Sequence, residues 1–210
     1  MKKIAVIVAL ESEYKLFSRA IAGRDDIILS MCGIGKVNAA IGATSIIERE
    51  HPDAIISTGV AGAIDAGLKP MDVIVAKQVA YHDVWCGAPY PIGEVQGYPR
   101  FFDADKDMYS KAMSLSVEGL AIKGGLQISG DRFIVADDIP ALRALYPDAL
   151  SVDMESGALS QTCHRYGVPF ISFRIISDSA DEGSYADFWT KAPESSFRVL
   201  RSFLELCLDQ

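Results

Sequence analysis

The stretch SVDMESGALSQTCHRYGVPFISFRII, residues 151–176, holds one full unit of the plan on which the chain is built. Ser151-Val152-Asp153-Met154 is short and extended. From about Glu155 to Tyr166 the residues predict a helix, closed by Gly167 at C′, where the left-handed conformation suits glycine, and by Pro169 beyond it. Pro169 to Ile176 then predicts a buried strand, being short, apolar and rich in β-branched and aromatic residues.

Outward from there the same alternation recurs. Ile4 to Leu10 (IAVIVAL), Ile27 to Met31, Ala54 to Ser57, Val73 to Ala80 and Leu126 to Ser129 all predict strands, and Val37 to Glu50 predicts a helix. A terminal helix carries Phe197, Leu200, Phe203, Leu204 and Cys207 on one face, three or four residues apart. Strands alternating with helices imply an α/β layered fold. Residues Tyr81 to Asp105 break the rhythm with Trp85, Tyr90, Tyr98, Phe101 and Phe102 among glycines and prolines. They predict a long structured loop, a kind of segment that is often functional. No repeat or linker interrupts the chain, so residues 1–210 are expected to form one domain.

The bulk numbers exclude several classes. Half of the 210 residues are hydrophobic and 23% are charged, which suits a globular core. A net charge of -8 argues against a nucleic-acid surface, which needs clustered Lys and Arg. Cys32, Cys86, Cys163 and Cys207 form no CxxC pair and are expected to be free buried thiols. Met1-Lys2-Lys3 followed by Ile4 to Leu10 has the outline of a signal peptide, but Glu11 and Glu13 fall where a cleavage site would be needed. No apolar run reaches the ~18 residues of a membrane span. A cytoplasmic protein without membrane contact is the expectation.

Three acids end apolar strands: Glu13, Glu155 and Asp178. In open α/β sheets ligands bind beyond the carboxyl ends of strands. A lone acid there is usually a helix cap or a solvated charge. Three together point to acid–base chemistry in a cleft, where burial perturbs carboxyl pKa values. The glycine segments are weaker signals. Gly33-Ile34-Gly35-Lys36 lacks the GxxxxGK(S/T) spacing of a P-loop, and Asn38 stands at the third glycine position of a dinucleotide fingerprint. Gly59 to Gly62 allows close backbone approach to a ligand.

Ordered motifs along the chain resemble the nucleoside phosphorylase superfamily, and within it the 5′-methylthioadenosine/S-adenosylhomocysteine nucleosidases. They are Ala9-Leu10-Glu11-Ser12-Glu13, Gly33-Ile34-Gly35-Lys36-Val37-Asn38-Ala39-Ala40, Ser57-Thr58-Gly59-Val60-Ala61-Gly62, Tyr81-His82-Asp83, Ser129-Gly130-Asp131-Arg132-Phe133-Ile134, Val152-Asp153-Met154-Glu155-Ser156 and Arg174-Ile175-Ile176-Ser177-Asp178-Ser179-Ala180-Asp181. The resemblance implies a three-layer α/β/α sandwich with a central mixed twisted sheet. It also implies hydrolysis of the N-glycosidic bond of a purine nucleoside with no cofactor and no metal.

The roles follow from the same resemblance. Asp178 resembles the general acid that protonates purine N7 and bonds the 6-amino group. Glu13 resembles the residue that activates water. Glu155 resembles the carboxylate that grips the ribose hydroxyls, with Met154 under the sugar. Phe133 would stack on the base, and the Ile134 backbone would bond its edge. Arg174 and Ser177 would lie near the site, Ser177 orienting Asp178. Leu10 and Phe188 are candidates for an apolar 5′-thioalkyl pocket. The chemistry suits these types: a carboxylic acid protonates N7 near neutral pH only if its pKa is raised, and carboxylates stabilise an oxocarbenium-like ribose.

Phosphorolysis needs a cationic grip on a dianion. In the resembling phosphorylases an arginine stands where this chain has Thr58, so water is the expected nucleophile. Many nucleosidases have Ser where this chain has Val60. The resembling enzymes are dimers in which the loop after Tyr81 comes from the partner subunit, so a homodimer with the Tyr81–Asp105 loop near the partner's site is the expectation; the plainer alternative is that its aromatics form a miniature core of their own. His82 and Asp83 are expected to be structural polar anchors, His164 an ordinary helix residue and His51 a surface one. A futalosine hydrolase, a purine nucleoside phosphorylase and a non-catalytic nucleoside-binding protein are the alternatives.

Overall fold

The computed structural model describes residues 3–21, 23–177 and 185–208, without the side chains of Ala20, residues 185–191 and Pro193. Strands β1 (Ile4–Val8), β2 (Ile27–Met31), β3 (Ala54–Ala63), β4 (Val73–Tyr81), β5 (Phe102–Asp103), β6 (Ile122–Ser129), β7 (Ala149–Asp153) and β8 (Phe170–Ile176) form one eight-stranded sheet. Helices α1 (Glu11–Ala20), α2 (Lys36–Glu50), α3 (Lys106–Met113), α4 (Ile139–Leu145), α5 (Ser156–Tyr166) and α6 (Tyr185–Leu208) pack against it. Gly167 closes α5 at φ 68, the left-handed cap expected of it.

The sheet is mixed. Strand β1 pairs parallel with β2 and β3, and β3 pairs parallel with β8. Strand β8 runs antiparallel to the first residues of β4, Val73 to Val75, and β4 pairs parallel with β6 along its whole length. Strand β7 lies parallel to β6 and antiparallel to the end of β3. The pairings β3–β8–β4–β6–β7–β3 therefore close on themselves, leaving β1 and β2 as a flap on β3. The sheet is not a simple open one, although Glu13 and Glu155 still meet at one end of it.

Strand β1 shows why its sequence is apolar at every position. Ile4, Val6 and Val8 enter a cluster with Phe17, Leu200 and Phe203, while Ala5 and Ile7 enter another with Ala43, Ile46 and Leu159. Successive side chains point to opposite faces, so both faces are covered by packed residues. The face expected on the last helix is found: Leu200, Phe203, Leu204 and Cys207 are buried, and the Phe203 ring lies 4.9 Å from Phe173.

Several boundaries differ from the sequence reading. Strand β3 continues past Ser57 to Ala63 because β8 supplies partners as far as Ala61 and β7 takes Gly62 and Ala63. Strand β6 starts at Ile122, since Gly124 and Gly125 pair with Val75 and Ala76. The first strand ends at Val8, and Glu11 to Ala20 is a helix that the sequence reading passed over. Not all the thiols are buried: Cys86 is exposed on the long loop and Cys32 is half-buried.

Part of the Tyr81–Asp105 segment is regular, since Phe102 and Asp103 pair with Val79 and Gln78. Its aromatics pack, but not as a core of their own alone: Tyr98 tilts against Phe102, but both also pack against His164 of α5, and Phe101 lies edge-on against Tyr146 after α4. Trp85 is the exception, 66% exposed. Among the described residues no helix is long and apolar enough to cross a membrane.

Candidate active site

Glu13 sits in the first turn of α1. Leu10 is extended at the helix N-cap, and Glu13 Oε2 accepts its backbone N–H at 3.0 Å. A glutamate reaching back to the N-cap is ordinary helix chemistry. Its surroundings are not ordinary. Glu13 is only 3% exposed, and a Cβ on Gly59 would lie 3.0 Å from its other oxygen. Glycine thus lets β3 run directly beneath the carboxylate. Burial pushes the Glu13 carboxyl up, opposed by the N–H groups of Leu10 and Ala9 and by the charge of Arg174.

Glu155 caps α5 directly after β7. Its Oε1 accepts the Gly35 N–H at 3.0 Å, from the turn between β2 and α2. Burial, with the negative charges of Asp153 and Glu13 adding, pushes the carboxyl up to about 7, against the opposing charge of Arg174 and the Gly35 bond. Glu13 and Glu155 thus share one electrostatic neighbourhood. Cys32 borders it, its thiol pushed up to about 11 by burial and by both carboxylates.

Behind the acids lies a buried ion pair. Arg174 Nη2 stands 2.6 Å from Asp153 Oδ2, with side chains 2% and 1% exposed. The guanidinium also donates to Ser57 and Ser156 hydroxyls at 2.9 Å and to the Phe173 carbonyl at 2.9 Å. Ser172 and Gln127 extend the network through Ser156. A buried pair persists only with its remaining polar atoms satisfied, as here. Arg174 therefore bears on the carboxylates through charge, from within the protein. Asp153 has no role in the sequence reading. The signal that could have found the network is Ser172-x-Arg174, two polar residues on one face of an otherwise apolar strand.

Met154 is half-buried between Asp153 and Glu155. Ser177, at the end of β8, gives both its N–H and its hydroxyl to the Ala61 carbonyl at 2.9 and 3.2 Å. Asp178 and the Phe188 side chain lie outside the described residues. Leu10 is half-buried at the mouth of α1. Ile134 packs on the cluster of Ile64 and Ile128, whereas Phe133 is 73% exposed. Thr58 is buried, its hydroxyl 3.4 Å from that of Ser196 on α6, and Val60 packs into the core. Asp83 is an anchor as expected, taking Lys36 Nζ on both oxygens at 2.9 Å. His82 is not: its Nε2 is buried without a hydrogen-bond partner.

The family profile of the phosphorylase superfamily matches residues 8–205. A 5′-methylthioadenosine/S-adenosylhomocysteine nucleosidase of Staphylococcus saprophyticus is 38% identical over 204 residues, 94% of this chain and 90% of its own. The chain belongs to this nucleosidase family of the phosphorylase superfamily. A namesake from Staphylococcus haemolyticus is 36% identical over 196 residues, 90% of this chain and 86% of its own. The crystal structure of the Neisseria meningitidis nucleosidase in complex with methylthio-immucillin-A superposes with a TM-score of 0.91 at 33% identity, covering 98% of this chain and 99% of that one. The family match takes in every element from the end of β1 into α6, and with them Glu13, Glu155, Arg174 and Thr58.

Proposed function

We propose that the protein hydrolyses the N-glycosidic bond of 5′-methylthioadenosine and S-adenosylhomocysteine, releasing adenine and the 5-thio-substituted ribose. The observation that carries this is the pair of buried carboxylates, Glu13 over Gly59 and Glu155 against Gly35, beside a buried Arg174–Asp153 pair. The names of the relatives supply the substrates.

In this reading Asp178 protonates N7, so that the base departs neutral. Glu13 takes a proton from the attacking water, a task suited to a carboxylate whose pKa is raised by burial. Glu155 accepts the ribose hydroxyls and, when ionised, stabilises the positive charge that develops on the sugar. Met154 lies under the sugar, Phe133 stacks on the base, and Ile134 offers its backbone. Leu10 and Phe188 line the 5′ pocket. Arg174 keeps the two glutamates from being neutralised together by opposing the rise in both.

Water is the nucleophile in this proposal. Arg174 is engaged by Asp153, Lys36 by Asp83, and the Thr58 position is packed under Ser196. A dianion would instead meet two carboxylates.

The proposal further takes the 210 residues as one domain of three-layer α/β/α build, acting as a homodimer with the Tyr81–Asp105 loop near the partner's site. Ile34, Val37 and Ile41 are 52%, 68% and 64% exposed along one stripe at the start of α2, and Trp85 is bare on the loop. Such apolar surface calls for a cover.

The test is base release from methylthioadenosine, adenosylhomocysteine, futalosine and inosine, with and without phosphate. Adenine from the first two without phosphate is expected. Dependence on phosphate with accumulation of a ribose 1-phosphate product would overturn hydrolysis, and no base from any substrate would overturn the enzyme.

A further inference from the structure

Lys36 opens α2, and three segments distant in sequence meet on it. Its ammonium takes both oxygens of Asp83 at 2.9 Å. Asp83 Oδ2 also accepts the backbone N–H of Asp131 at 2.8 Å. Asp131 Oδ1 in turn accepts the backbone N–H of Lys36 at 2.7 Å. The circuit is closed: Lys36 to Asp83, Asp83 to Asp131, Asp131 back to Lys36.

One peptide before Lys36 is the Gly35 N–H that bonds Glu155. Gly35 has φ 92, a conformation that favours glycine, and a Cβ there would lie 3.0 Å from Asp131 Oδ1. The other side of the circuit is tied to the strand end that leads to Glu155, since Gly130 N–H bonds the Asp153 carbonyl at 3.1 Å. The ordinary reading of Lys36–Asp83 is a surface salt bridge of little consequence. Two facts set it apart. The side chains are 23% and 26% exposed, and both aspartates also hold main-chain N–H groups, so the circuit fixes backbone.

We propose that Lys36, Asp83 and Asp131 are positioning residues: they clasp the Gly33–Lys36 turn so that the Gly35 N–H stays on Glu155 and aims its carboxylate at the substrate's ribose hydroxyls. The last step rests on the nucleosidase reading of Glu155. Besides Gly35, the groups facing Glu155 are Asp153 from β7, Arg174 from β8, Glu13 from α1 and Cys32 from the end of β2. None of them is altered when the clasp is opened from Lys36 or Asp83.

The test compares Lys36→Met, Asp83→Asn and Lys36→Arg, each checked for folding by circular dichroism. Two quantities are read: the pH profile of adenine release from methylthioadenosine, and the titration of the Glu155 carboxyl by ¹³C NMR. Losing the Gly35 bond disfavours the ionised carboxylate, so Lys36→Met and Asp83→Asn should both move the acid limb of kcat/KM and the NMR midpoint up by about one unit, the scale of one charge-assisted hydrogen bond. KM should rise more than kcat falls. Lys36→Arg, which keeps a cation for Asp83, should restore most of the wild-type profile. A purely Coulombic effect would act with opposite signs, because one change removes a positive charge and the other a negative one. Opposite shifts, or no shift in either variant, overturn the proposal. If wild type releases no adenine, the nucleosidase reading falls, while the NMR titration still decides the clasp.

Discussion

Replacing Glu155 by Gln should make the protein more heat-stable at pH 8 and change it little at pH 5. The Glu155 carboxyl is raised from 4.5 to about 7 in the fold. Stability from such a group is fully present below the unfolded value and is lost as pH rises through the folded one. In wild type the neutral acid is tolerated in its buried place at pH 5, and by pH 8 the fold must carry an anion beside Asp153 and Glu13. Integrating between those pH values gives a loss of about 2–3 kcal/mol from this group. Gln is a neutral stand-in of the same size, and its amide oxygen still accepts the Gly35 N–H. For a chain of this length that difference is worth about 5–10 °C in Tm. Differential scanning calorimetry of both proteins from pH 5 to 8 measures it, and titrations common to both cancel in the difference. Relief of repulsion on Glu13 acts in the same direction. A Tm difference that does not vary with pH, or that is larger at pH 5, would refute the account of why Glu155 is raised.

Asp178→Asn should lower adenine release by about 10²-fold or more while leaving the melting temperature unchanged, if Asp178 is the acid at N7; near-normal turnover would assign the proton elsewhere. Gly59→Ala places a methyl 3.0 Å from Glu13 Oε1. It should cost about 1–3 kcal/mol in urea unfolding and reduce kcat by about 10²-fold through displacement of the carboxylate. Asp153→Ala leaves Arg174 as an unpaired buried cation and should destabilise the protein by about 3–5 kcal/mol, part of which returns in Asp153→Ala/Arg174→Met. Equal losses in the single and double variants would mean that the pair is not the source.

The parts of the fold legible in the sequence are those whose signal is local. β2 falls at the predicted residues because Ile27-Ile28-Leu29 is a compact apolar run that pairs with β1 residue for residue. Helix α5 ends where Gly167 supplies a positive φ. What was misplaced depended on partners. The chain from Thr58 to Ala63 looks like a glycine-rich turn, yet it is strand because β8 and β7 lie on it. Glu11 to Ala20 has a charged first turn and few apolar residues, so the helix that carries Glu13 does not stand out as a core element in the sequence. The missed Asp153 belongs with these cases, because nothing within VDMES tells which acid faces the pocket and which faces Arg174.

The sequence by itself determined that this is an α/β chain with acids at strand ends, and the ordered motifs were specific enough to point to one nucleosidase family. Residue types and local spacing carry that information, for periodicity and turn chemistry act within a few residues. Only the tertiary structure decided what Glu13 and Glu155 meet. Glu155 differs from a solvated helix cap because burial and Asp153 act on it at close range, and Glu13 differs because β3 has no side chain at Gly59. Charge effects depend on distance and on the exclusion of water, and folding sets both between residues far apart in the chain.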